Sequence, residues 1–228
     1  MLLMPSCKKE NEMATAPTIY VTDDTHINSG DPAVNYETSA IMRTGEVLGT
    51  YTQRVLMRFD LSSIPANAII KTASMKIDTG ILFGGSSVNI SMSFYTITAA
   101  WNVATVTWNN QPAINASAYG TTTVPDKPAH SYTTFNAKTL IEAMRAGGYD
   151  SFEMRETVEG TAGDILYVYS ENLAGSAAYL DITYELPSKV NVGDAWKPAS
   201  DMKVNVGDAW KSASGMKVNI GDAWKEVF

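Results

Sequence analysis

Cysteine occurs once in the 228 residues, at Cys7, and histidine twice, at His26 and His130. A single thiol excludes an internal disulfide and a thiolate metal site. Two histidines leave little for a zinc centre or a histidine-based triad. No apolar run approaches the roughly 20 residues that a membrane-crossing helix needs. Cations are also short, 17 Lys and Arg against 24 Asp and Glu, for a net charge of −7. A duplex nucleic acid partner is excluded on that count, because phosphate neutralisation needs clustered Lys and Arg. From Thr79 to Pro125 there is no charged side chain of either sign.

What fills that stretch is Thr, Ser, Asn, Ala and aromatics. Its plain reading is β-structure with neutral polar faces. The sharper one is a neutral surface shaped for sugars or for another protein. The chain is 45% hydrophobic, which rules out wholesale disorder. Its length suits one sizeable core with a small appendage.

Three segments follow one another. Residues 1–17 form an N-terminal tail in which Met1-Leu2-Leu3-Met4-Pro5-Ser6-Cys7-Lys8-Lys9 resembles the end of a lipoprotein signal. The apolar part is shorter than a working signal core and no basic segment precedes it. A true start at Met13 is the favoured reading, with lipidation of Cys7 as the alternative. Residues 18–186 carry β signals. Val55, Met57, Phe59 and Leu61 share one face; Ala73, Met75 and Ile77 alternate with Thr72, Ser74, Lys76 and Asp78. Val88, Ile90, Met92 and Phe94 repeat the pattern, as do Leu180, Ile182 and Tyr184 against Tyr179, Asp181 and Thr183. Period-2 alternation means one buried and one wet face, the mark of antiparallel sheets. The expected fold is all-β, a jelly-roll-like antiparallel sandwich. One helix interrupts it, capped by Asn136, striped by Leu140, Ile141 and Met144, and stopped at Gly147-Gly148. It is expected to plug one open end of the sandwich.

Residues 187–228 hold three near-copies at a 14-residue period: KVNVGDAWKPASDM, KVNVGDAWKSASGM and KVNIGDAWKEVF. Each unit predicts a hairpin across Gly-Asp in a type II′ turn, pairing Val192 with Ala195 and Asn191 with Trp196. Valines then point one way and the tryptophan the other. A lone hairpin is marginal in water, so the units are expected to pack on one another or on another chain. Trp196, Trp210, Trp224, Val227 and Phe228 are the candidate assembly residues.

Other candidate chemistry is sparse. Asp23, Asp24 and Asp31 could supply oxygen ligands to Ca²⁺. Against this, Asp23 and Asp24 are strand neighbours with opposite faces, so a solvated turn is the plainer reading. Glu153, Glu156 and Glu159 lack the supporting constellation that glycoside hydrolysis requires. Trp101 and Trp108 read as core aromatics rather than as a sugar platform. His26 and His130 read as loop residues that are simply solvated.

Four segments carry a family likeness: Arg54–Pro65 with Ala73–Ile77; Trp101-Asn102 leading to Val106-Thr107-Trp108-Asn109-Asn110-Gln111-Pro112; the helix and its exit through Met154; and Tyr169–Asn172 with Ala178–Tyr184. Together they resemble the DNRLRE domain, a β-sandwich related to a carbohydrate-binding module family. The resemblance implies a non-catalytic jelly roll, often attached to extracellular or surface proteins. The terminal repeats are similar to GxxWK repeats at the ends of phage virion proteins. These likenesses imply a structural or adhesive protein, not an enzyme, on a virion surface. Its expected partners are copies of itself or virion shell and tail proteins, with surface polysaccharide as a further ligand. The alternative is a bacterial surface lipoprotein anchored at Cys7 that binds polysaccharide.

Overall fold

The computed structural model describes residues 13–47, 50–83, 89–125, 130–159 and 165–186, and in the tail the strands named below. The described strands are β1 (Met13–Thr15), β2 (Ile19–Asn28), β3 (Ile41–Val47), β4 (Tyr51–Phe59), β5 (Ile69–Phe83), β6 (Ile90–Thr96), β7 (Thr121–Val124), β8 (Ser131–Asn136), β9 (Ser151–Glu156), β10 (Ile165–Tyr169) and β11 (Tyr179–Glu185). One helix, α1, spans Lys138–Gly147. Hydrogen bonding runs β11-β5-β10-β3-β4-β9-β6-β7, with β8 on β5 and β2 on both β11 and β4.

Strand β2 explains how one hydrogen-bonded path makes two layers. Its first residues pair with β11, Tyr20 opposite Tyr179 and Ile19 opposite Leu180. From Val21 it pairs with β4 instead, and the register slips between Val21 and Asp23. A bulge of this kind bends a strand and lets it change sheets. The inner faces then meet. Val55, Met57 and Phe59 of β4 are fully buried, as are Met75 and Ile77 of β5 and Met92 of β6. Phe94 of β6 meets Phe135 of β8 edge-on, with ring centroids 5.3 Å apart, and Phe152 of β9 lies 5.8 Å from Phe94. The chain is an antiparallel β-sandwich, as the alternation predicts.

Some residues fall elsewhere than expected. Leu61 lies beyond the end of β4 and is only half-buried, because the strand stops at Phe59. Val88 lies outside the described residues, and β6 begins at Ile90. Asp78, on the side of β5 expected to be wet, is buried. Helix α1 buries Leu140, Ile141 and Met144 as its stripe requires. Asn136 sits one residue before the cap, and its Oδ1 accepts the Lys138 amide at 3.2 Å. Gly148 ends the helix at φ 68°, the left-handed conformation that glycine takes without strain.

The sandwich is one compact unit, built from Thr15–Ala66 and Ile70–Thr183, and the tail strands belong to a second unit. The tail contains three separate two-stranded sheets: β12 (Lys189–Val192) with β13 (Ala195–Pro198), β14 (Lys203–Val206) with β15 (Ala209–Ser212), and β16 (Lys217–Asn219) with β17 (Trp224–Glu226). Val192 pairs with Ala195 and Asn191 with Trp196, the expected register, and Asn205–Trp210 and Asn219–Trp224 repeat it. Between paired strands the Gly-Asp residues lie outside the described residues, and so do Cys7, Val227 and Phe228.

Candidate functional site

Most tyrosines of a sandwich bury their rings and keep only the hydroxyl wet. Tyr20 and Tyr132 do not: they are 58% and 37% exposed. Their strand positions explain this. Ile19 and Leu180 fill the core, so their neighbours Tyr20 and Tyr179 must face out. Tyr132 alternates in the same way with the buried Thr133 and Phe135 on β8. The Tyr20 and Tyr179 rings stand 5.8 Å apart and those of Tyr132 and Tyr179 5.6 Å. These three rings, with Thr18, Asp181 and the backbone near Gly175 and Ala177, line an open groove of about 600 Å³.

Polar groups fix the rings. The Tyr132 hydroxyl donates to the Gly175 carbonyl at 2.9 Å and lies 3.3 Å from that of Ala177. Burial raises the Tyr132 phenol above its usual range, with Asp78 and the other two tyrosines adding to the effect, so it keeps this proton. Lys76 lies over the Tyr179 ring at 5.3 Å and pairs with Asp181 at 3.7 Å. Thr18 donates to Asp181 at 3.4 Å.

The segment 170–178 forms the wall of the groove, and two buried carboxylates hold it. Ser176 Oγ donates to Asp78 at 2.7 Å, and the Glu171 amide donates to Asp24 at 3.0 Å. Burial pushes the Asp24 carboxyl up to about 7, against the opposing Glu171 amide bond; the charges of Glu171 and Asp23 push the same way as burial.

The calcium candidates are therefore placed apart. Asp23 pairs with Arg58 at 2.8 Å, Asp24 is buried, and Asp31 accepts from Asn28 and from the Tyr36 hydroxyl. Among the described residues no group of three carboxylates, histidines or cysteines is arranged to hold a metal ion. Of the two histidines only His26 departs from a solvated loop setting; His130 lies in a bend before β8 with its side chain 56% exposed. His26 lies in β2, buried and stacked on Tyr36 at 4.1 Å, and burial lowers it to about 4, with Arg43 adding to the effect. His130 stacks on Tyr169 at 4.0 Å, with Nδ1 3.3 Å from Asp78. From Asp24 to Asn28 every residue of β2 is buried, so no period-2 alternation marks the burial of His26 in the sequence.

Trp101 and Trp108 lie against a second, smaller cluster, Ile27, Leu56, Ile97 and Val106, on the outer face of β4. Arg58 covers Trp101 at 4.6 Å and Arg54 covers Trp108 at 4.7 Å. Both rings are half-buried, so they pack a satellite core rather than the main one. Glu153 is buried beside Arg54 at 3.9 Å and Arg155 at 3.6 Å. Burial raises its carboxyl, opposed by the two guanidinium groups. Glu159 binds Arg54 through both oxygens at 2.8 Å. These acids serve a charge network that holds the tryptophan loop. For Trp196, Trp210 and Trp224 the structure gives the backbone pairing, and their side chains lie outside the described residues.

Sequence reasoning missed Tyr20 and Tyr132 as site residues. Outward-facing tyrosine at strand positions next to buried Ile and Thr was the available signal. Residues 15–184 match the model of carbohydrate-binding module family 96. Among curated proteins no match to the chain is found.

Proposed function

The chain belongs to carbohydrate-binding module family 96, and on that premise we propose that it is a non-catalytic module that binds polysaccharide on the Tyr20–Tyr179–Tyr132 face. The observation that carries this is three adjacent tyrosine rings, two exposed and Tyr179 half-buried, that line an open groove. An aromatic face with a partial negative charge suits the C–H-rich face of a pyranose, while Thr18, Asp181 and nearby carbonyls supply orienting hydrogen bonds. The sandwich gives a rigid platform, so little ordering cost is left for binding.

The tail fits a display role on a virion capsid or tail. Three near-identical sequence units with one hairpin register support a repeated docking contact. A two-stranded hairpin has two open edges, and a partner strand satisfies them.

Affinity electrophoresis of the full chain through gels containing a polysaccharide panel tests the binding site. Retardation by at least one polysaccharide, abolished by Tyr20→Ala with Tyr179→Ala, is the expected result. Equal retardation of wild type and variant puts the site elsewhere.

A further inference from the structure

We propose that His130 is a positioning residue for the sugar-binding face: its ring nitrogen and left-handed backbone set the chain entering β8 so that Tyr132 stands beside Tyr179. The proposal rests on the sugar-binding reading of this face and adds to it a residue that does not line the groove. The juxtaposition that carries it is one carboxylate oxygen, Asp78 Oδ2, to which both ends of the Tyr132 residue tie back.

The hydroxyl end is held by the wall. Tyr132 donates to the Gly175 carbonyl at 2.9 Å and lies 3.3 Å from that of Ala177. Ser176, between those two residues, donates to Asp78 Oδ2 at 2.7 Å. The main-chain end is held from β5. Tyr132 stands directly opposite Asp78 in the register of β5 and β8. Two residues earlier, His130 Nδ1 lies 3.3 Å from the same Oδ2. A carboxylate only accepts, so Nδ1 carries the proton in this contact. The ring also stacks on the buried Tyr169 of β10, with centroids 4.0 Å apart and planes 26° from parallel.

The backbone of His130 points the same way. Among the described residues it is the one non-glycine residue with a positive φ, at 59°. Glycine takes that conformation without strain, whereas a side chain there persists where its surroundings over-determine it. The Asp78 oxygen and the Tyr169 ring are those surroundings. Without them the residue is free to return to a negative φ, which redirects the chain into Ser131, the first residue of β8. Thr79 keeps that strand paired, since its hydroxyl donates to the Ser131 carbonyl at 3.3 Å and bonds the Thr133 hydroxyl at 2.6 Å. The effect expected from losing His130 is therefore a turned Tyr132 ring and not a lost strand.

Two variants of the full chain test this, read by tyrosine-selective ¹³C NMR and by affinity electrophoresis. The gels carry hydroxyethylcellulose, galactomannan, xylan, polygalacturonate or alginate. His130→Gly keeps the left-handed backbone and removes the ring. His130→Asn also tolerates that backbone and places an amide N–H close to the position of Nδ1. In His130→Gly the Tyr132 ring signals should move. Retardation by each polymer that binds the wild type should weaken about three- to tenfold, the scale of a residue acting through its neighbours. His130→Asn should restore both, with retardation within about twofold of wild type. In an Asp78→Ala background His130→Gly should add nothing further, because the contact is already gone. Unmoved Tyr132 signals or unchanged retardation in His130→Gly, equal losses in His130→Asn, or effects that add to those of Asp78→Ala overturn the proposal and leave the sugar-binding reading standing. A wild type that no polymer retards overturns that reading, and the proposal with it.

Discussion

Ser176 donates its hydroxyl to the buried carboxylate of Asp78 at 2.7 Å, and so ties the wall of the tyrosine groove to the middle of strand β5. The next residues along that wall, Gly175 and Ala177, hold the Tyr132 hydroxyl. A hydrogen bond to a charged group is worth about 1.5–3 kcal/mol, and more is lost when a buried partner is stranded. Asp78→Ala should therefore cost about 2 kcal/mol and speed amide exchange across 170–178 in particular. Asp78→Asn, which keeps an acceptor, should cost less. Hydrogen exchange with mass spectrometry reads both, and unchanged protection of 170–178 in Asp78→Ala would show that the wall is held by other contacts.

Two buried groups on β2 should give the stability opposed pH slopes. Burial, with Glu171 and Asp23 nearby, raises the folded Asp24 carboxyl from 3.8 to about 7. Between those values the unfolded chain has released a proton that the folded chain retains, so this contribution falls as pH rises. Burial and Arg43 lower His26 from 6.5 to about 4, and its contribution falls as pH drops through that window. Relative to wild type, Asp24→Asn should gain stability from pH 4 to 7. His26→Phe should gain it from pH 6.5 to 4. Urea melts at half-unit intervals measure these differences. Parallel curves for variant and wild type would mean that neither group titrates abnormally.

The two classes of buried aromatic should respond differently to truncation. Phe59 is fully buried and stacked on Phe152, so Phe59→Ala should cost about 3–5 kcal/mol. Trp108 is half-buried over the satellite cluster. Its loss should cost less, about 1–3 kcal/mol, and should free Arg54 from the ring. Chemical denaturation of both variants checks the order. A larger loss for Trp108→Ala would make the tryptophan loop part of the principal core.

The strands that read clearly from the sequence are those with one wet face. Leu180 and Ile182 are buried and alternate with the part-exposed Tyr179, Asp181 and Thr183, because β11 covers the core on one side. Strands β3 and β10 gave no such signal. Thr44, Gly45 and Glu46 are consecutive buried residues, as are Val168 and Tyr169, so period 2 vanishes there. The helix and the hairpin register were legible because a cap, a glycine stop and a two-residue turn are local chemistry. The tyrosine face was not. It needs Tyr20, Tyr132 and Tyr179 from three distant strands, and only the long-range pairing of the start of β2 with β11 brings the first beside the last. Asp24 misled for a related reason: alternation puts it opposite Asp23 but does not reveal that Glu171 closes over it.

If the tail is a docking element, it should be separable. A chain ending at Leu186 should fold and stay monomeric, with sugar binding intact, while the full chain self-associates or joins particles. Light scattering after size exclusion reads the first difference. A truncated chain that unfolds, or one that assembles as the full chain does, would remove the tail from this role.

Tyrosine-selective ¹³C labelling tests the central claim most directly. The full chain would be titrated with an oligosaccharide of whichever polymer retards it, and the ring signals followed by NMR. Tyr20, Tyr132 and Tyr179 should shift together and saturably, while Tyr51, Tyr95 and Tyr119 stay in place. Shifts confined to Tyr95 or Tyr119, or binding with no tyrosine shift, would contradict the assignment of this face as the sugar site.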